Sequence, residues 1–126
     1  MLDKGENVNE KMNPEVKSLW VAALRSGDYS QGRGALAKES VGEISYCCLG
    51  VLCELAFKKG LVTRSSSGFN TVTFNGEAAL LPDALAKWSG VSREGSYGNG
   101  PHWLTEDNDE KRLSFNELAD LIEEHF

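Results

Sequence analysis

The segment Cys47-Cys48-Leu49-Gly50-Val51-Leu52-Cys53 constrains this chain more than any other. Read as a helix, it places Leu49, Leu52, Cys53 and Ala56 on one face, and Gly60 supplies a stop. A helix that apolar has to lie inside a folded core, so the remaining elements are expected to pack around it. Its longest apolar run, Leu49 to Leu52, is far shorter than the roughly 20 residues that span a bilayer. The three thiols are odd in number and their spacing suits neither a disulfide framework nor a zinc knuckle. They read as reduced, interior groups.

The rest of the chain supplies enough material for one core. It has 126 residues, 40% of them hydrophobic and 25% charged, which fits a single domain that folds without metal or disulfide. Residues 1–12 carry charge and asparagine without periodicity and read as a flexible lead-in, with a single domain over 13–126. That polar start lacks the apolar core of a secretory signal, so a cytoplasmic location is expected. The net charge of −6 opposes binding to a phosphate backbone, which relies on lysine and arginine.

Local signals place four helices. Asn13-Pro14 caps and opens the first, whose apolar positions are Val16, Leu19, Trp20, Ala23 and Leu24, and which ends at Gly27. The cysteine helix is the second, led in by a short strand over Val41 to Tyr46. Pro82 opens the third, which runs through Trp88 and closes at Gly90. Ser114 with Glu117 forms a capping box for the last, flanked by Leu113 and Leu118. Thr71-Val72-Thr73-Phe74 alternates, and Asn75-Gly76 is a turn pair, so a hairpin is expected with Glu77 to Leu80 as the returning strand. The fold class is therefore α+β: three to four helices around a central apolar helix, with a small antiparallel sheet or hairpin.

Several constellations are candidates for chemistry. Cys47 and Cys48 fall near a helix N-terminus, where a thiolate can be stabilised, and His102 is an available base. Against a thiol hydrolase, apolar neighbours raise a thiol's pKa, no hydrolase motif surrounds the cysteines, and free cysteine is among the most buried residue types. No catalytic residue is assigned. Asp107 and Asp109 begin like a calcium loop, but Lys111, Arg112 and Leu118 stand where oxygen ligands and glycine are required, so no metal and no cofactor is expected.

The loop Gln31-Gly32-Arg33-Gly34 combines flexible backbone with a guanidinium suited to carboxylate or phosphate, without the spacing of a nucleotide-binding motif. The favoured reading is a tight structural turn with an exposed arginine. Tyr97, His102 and Trp103 sit in or beside a glycine-rich stretch that includes Gly98 and Gly100, whereas Trp20 and Trp88 lie on apolar helix faces as core. Together Arg33, Gly32, Gly34, Tyr97, His102 and Trp103 form a candidate pocket for a planar, anionic ligand. The competing reading is that Trp103 packs onto the core.

Four blocks carry a family resemblance. They are Ser18 to Gly27, Gln31 to Leu36, Tyr46 to Leu55 with its Cys-Cys-Leu-Gly-Val-Leu-Cys core, and Phe115 with Ala119 to Glu123, joined by Leu81-Pro82-Asp83. In these the chain resembles a family of small proteins of bacteriophages, prophages and their hosts. The resemblance implies a phage-type origin and no established activity. Asp107 departs from the pattern, where similar sequences carry an apolar residue, and this implies looser packing over Trp103 to Asn108. The functional expectation is a non-enzymatic accessory protein that antagonises host defence by sequestering a small anionic, nucleotide-like molecule, with a homo-oligomer expected. The alternatives are an acidic inhibitor of a host defence protein, using Glu106, Asp107, Asp109, Glu110, Asp120, Glu123 and Glu124, and the thiol hydrolase.

Overall fold

The structure is a computed structural model that describes residues 12–66, 70–98 and 102–126. The expected lead-in lies outside these, apart from Met12, which is buried. In chain order the elements are α1 (Pro14–Arg25), β1 (Ser30–Gln31), β2 (Ala37–Ser40), β3 (Glu43–Tyr46), α2 (Cys48–Lys58), β4 (Arg64–Ser66), β5 (Thr71–Phe74), α3 (Asp83–Ser89), β6 (Ser96–Tyr97), β7 (His102–Trp103), α4 (Leu104–Asp109) and α5 (Phe115–His125). The protein is a mixed α+β fold with a five-stranded sheet of order β1-β3-β2-β5-β4 and a separate β6–β7 pair.

The helix ends form where short-range chemistry demands. Asn13 Oδ1 accepts from the amides of Glu15 and Val16 at 2.9 and 3.3 Å, satisfying donors that have no partner within the helix. Ser114 Oγ accepts from the Glu117 amide while Glu117 accepts from the Ser114 amide, which is the expected capping box. Gly90 closes α3 with φ of 81°, a left-handed conformation that costs glycine little.

Burial follows from what each helix packs against. In α2, every residue from Cys48 to Glu54 is buried, as is Ala56. Gly50 allows this, because the Leu36 carbonyl lies where a Cβ would stand. α1 lies against α5 and α2, and Trp20 donates its indole N–H to the Cys48 carbonyl at 2.9 Å. The apolar face of α1 is rotated from the expected one: Val21 is buried and Leu19 is 43% exposed.

The structure departs from expectation in three places. It has five helices among the described residues, because Leu104–Asp109 forms α4. One and a half turns are too short to display a 3.6-residue apolar period, and two of α4's buried residues, Asp107 and Asn108, are polar. The sheet is mixed, since β1, inside the stretch read as a loop, pairs parallel to β3. Finally, β5 pairs with β4 and β2. The chain after Asn75-Gly76 makes a single bridge, Phe74 to Glu77, and leaves, because the places beside β5 belong to strands distant in sequence.

Candidate functional site

The glycine loop before β2 is fastened to α4 through Asn108. The Asn108 side chain accepts from Gln31 Nε2 at 2.9 Å and donates to the Gly32 carbonyl at 2.9 Å. Its main-chain carbonyl accepts from Arg33 Nε at 3.1 Å. Gln31 Nε2 also donates to the Leu113 carbonyl at 2.8 Å. Asn108 is fully buried, so each of these bonds replaces water that the side chain has lost. Gly32 is needed for proximity: its amide donates to the Tyr46 carbonyl at 2.7 Å, and a Cβ there would stand 2.6 Å from Ser45 Oγ. Gly34 is needed for conformation, with φ of 88°.

The second group is built on the β6–β7 pair. Tyr97 opposes His102 and Ser96 opposes Trp103. The Tyr97 and His102 rings stack with centroids 5.4 Å apart, and His125 and Phe126 lie against Tyr97 at 5.0 and 5.8 Å. The Tyr97 hydroxyl donates to Asp107 through a short hydrogen bond, and Lys111 Nζ lies 3.4 Å from the other oxygen of that carboxylate. Desolvation first, and then the bond to Asp107, push the phenol's pKa upward. Asp107 is almost completely buried. In the segment expected to pack more loosely, Trp103 is partly exposed but Leu104, Asp107 and Asn108 are buried, the Asp107 carboxylate meeting a phenol and an ammonium.

Thus Tyr97 and His102 come together on one face of the β6–β7 pair, Trp103 stands with Ser96 on the other face, and Gly32, Gly34 and Arg33 form a structural loop of their own. The two groups are fastened to consecutive residues of α4, Asp107 and Asn108, which project in different directions from a helix. Trp103 is 36% exposed. Gly98 follows β6 with φ of 73°, and Gly100 lies outside the described residues. Sequence reasoning missed Asn108 and the role of Asp107; the signal available was the clustering of polar residues in a short stretch between two apolar elements.

The family description Domain of unknown function (DUF8296) matches residues 12–126. The chain belongs to this family. No curated protein and no solved structure matches it. The DUF8296 match spans both groups of candidate residues and the cysteine helix.

Within this DUF8296 domain the thiols are interior. Cys47, Cys48 and Cys53 are free and buried. Burial pushes the Cys47 thiol up to about 11 and raises Cys48 and Cys53 as well. Cys47 is the N-cap of α2, with its sulfur 3.4 Å from the Gly50 amide, and that contact does not offset the loss of water. The Cys48 sulfur lies 4.0 Å from the Leu104 carbonyl. Among the described residues, no cluster of three His, Cys, Asp or Glu side chains could hold a metal. No described helix is long and apolar enough to cross a membrane.

Two further polar arrangements bear on function. Arg25 bridges both Asp120 and Glu123 of α5 at 2.7 Å, drawing part of the acidic face into contacts within the chain. On another side, Arg64 Nη1 donates to both oxygens of the buried Glu54 at 2.7 and 2.8 Å and its guanidinium lies over the Phe57 ring at 4.4 Å. Burial, with the charge of Glu54, pushes the nearby Tyr46 hydroxyl up to about 12.

Proposed function

We propose that this protein is a non-enzymatic accessory of phage type that acts in the host cytoplasm as a homo-oligomer, antagonising defence by sequestering a small anionic, nucleotide-like molecule. The apolar α2 is its central scaffold, and recognition takes place at the β6–β7 hairpin. The observation that carries this reading is the half-open Trp103 indole on one face of the β6–β7 pair, with the Tyr97–His102 rings stacked on the other. Rings held in place stack on a planar base at low entropic cost, and the Tyr97 hydroxyl is fastened by a buried carboxylate. His102 is exposed and can donate to an anionic oxygen. Arg33 contributes by fixing the adjoining loop.

The acidic-inhibitor reading is weaker, because Asp120 and Glu123 are engaged by Arg25. The thiol-hydrolase reading is weaker too, since a buried, neutral sulfur is a poor nucleophile. The test is titration of the full chain with mono-, di- and cyclic nucleotides, followed by tryptophan fluorescence. Saturable quenching that weakens about tenfold in Trp103→Ala supports hairpin recognition. Quenching by none of these nucleotides, or identical affinity in Trp103→Ala, overturns it.

A further inference from the structure

Three helix ends converge at a groove that shares no lining residue with the hairpin. The Asn13 amide donates to the Ser89 carbonyl at 2.9 Å, strapping the start of α1 to the end of α3, and Lys59 caps the C-terminus of α2 beside them. Between them lies a cavity of about 550 Å³, lined by Asn13, Pro14, Glu15, Val16, Ser18, Leu19, Lys59 and Trp88. This is the size that small-molecule sites occupy. Its walls include Leu19, an apolar residue left 43% exposed although Val16 and Trp20 of the same helix are buried, and Trp88, which sequence reasoning placed in the core but which is only partly buried. The start of α1 adds no donors of its own, because Asn13 Oδ1 already takes the Glu15 and Val16 amides and Pro14 has no N–H. The cation in the lining is Lys59.

We infer that this groove is a second recognition site, for a small molecule with a flat apolar body and one anionic group. Trp88, Val16 and Leu19 receive the apolar body, Lys59 receives the anion, and Ser18 offers a hydroxyl. Glu15 sets the selectivity: it lines the same cavity and opposes a second negative charge, so a monoanion fits better than a polyanion such as a nucleotide triphosphate. The site is independent of the hairpin.

The probe is anilinonaphthalene sulfonate, a flat apolar monoanion, titrated into the full chain with probe fluorescence and amide NMR shifts as readouts. The shifts are expected at Asn13, Glu15 to Leu19, Lys59 and Trp88. Lys59→Glu should weaken binding roughly fivefold and Glu15→Lys should tighten it, opposite signs set by charge. Leu19→Ser should weaken it roughly threefold by removing apolar contact. All three positions are exposed, so the variants should keep the parent's melting temperature, and Trp103→Ala should bind as the parent does. Absence of saturable binding, shifts centred elsewhere, or the same affinity in Lys59→Glu and Glu15→Lys would each overturn the assignment. Shifts centred on Trp103 would do so while leaving the hairpin reading intact.

Discussion

The Leu36 carbonyl oxygen lies 1.8 Å from where a Cβ on Gly50 would stand, and the same oxygen accepts from the Cys47 amide at 3.0 Å. The loop before β2 and the first turn of α2 therefore touch backbone to backbone. Gly50→Ala should destabilise the protein by about 3 kcal/mol, since the obstacle is main chain that cannot rotate away. Gly32→Ala, facing the mobile Ser45 hydroxyl, should cost less. Urea unfolding of both variants checks the order.

Stability should fall in alkali. The Cys47 thiol titrates near 9 when unfolded and at about 11 when folded. Below 9 its contribution is fully present, and between 9 and 11 the unfolded state releases the proton first, so stability declines as pH rises. The loss from Cys47 alone approaches about 3 kcal/mol, and Cys48 and Cys53 act in the same direction. Denaturation midpoints measured from pH 7 to 11 test this. Rapid thiol labelling of the native protein at neutral pH would contradict it.

Asn108→Ala should cost about 2–3 kcal/mol, because it leaves the Gly32 carbonyl and Gln31 Nε2 short of a partner inside the protein. Hydrogen exchange should quicken at Gln31 to Gly34 in particular. An unchanged exchange pattern there would show that the loop is held by its backbone alone.

Arg64→Met strands the buried Glu54 carboxylate, whose side chain is 7% exposed, and should cost about 2 kcal/mol, less than for a fully buried pair because the arginine is partly in water. Glu54→Gln combined with Arg64→Met should be more stable than Arg64→Met alone. Thermal melts of the parent and the two variants decide it.

Val41 and Gly42 turn the β2–β3 hairpin with φ of 51° and 81°, a conformation that β-branched residues resist. Val41 is also 99% exposed, so its side chain gains little from packing. Val41→Asn should raise stability by about 1 kcal/mol, measurable as a higher melting temperature.

The sequence by itself determined the helix termini and the interior cysteine helix. Asn13-Pro14, Ser114 with Glu117, and Gly90 act through contacts a few residues apart, and an unbroken apolar stretch has nowhere to go but inside. Tertiary structure alone decided the partners of β5, the existence of α4, and the roles of Asp107 and Asn108. Those depend on Val72 meeting Ala37 and Gln31 meeting Asn108 across a long span of chain, and on Tyr97 of β6 meeting Asp107 of α4. A buried polar group is stable only when its partner arrives, and no local pattern announces where that partner will be.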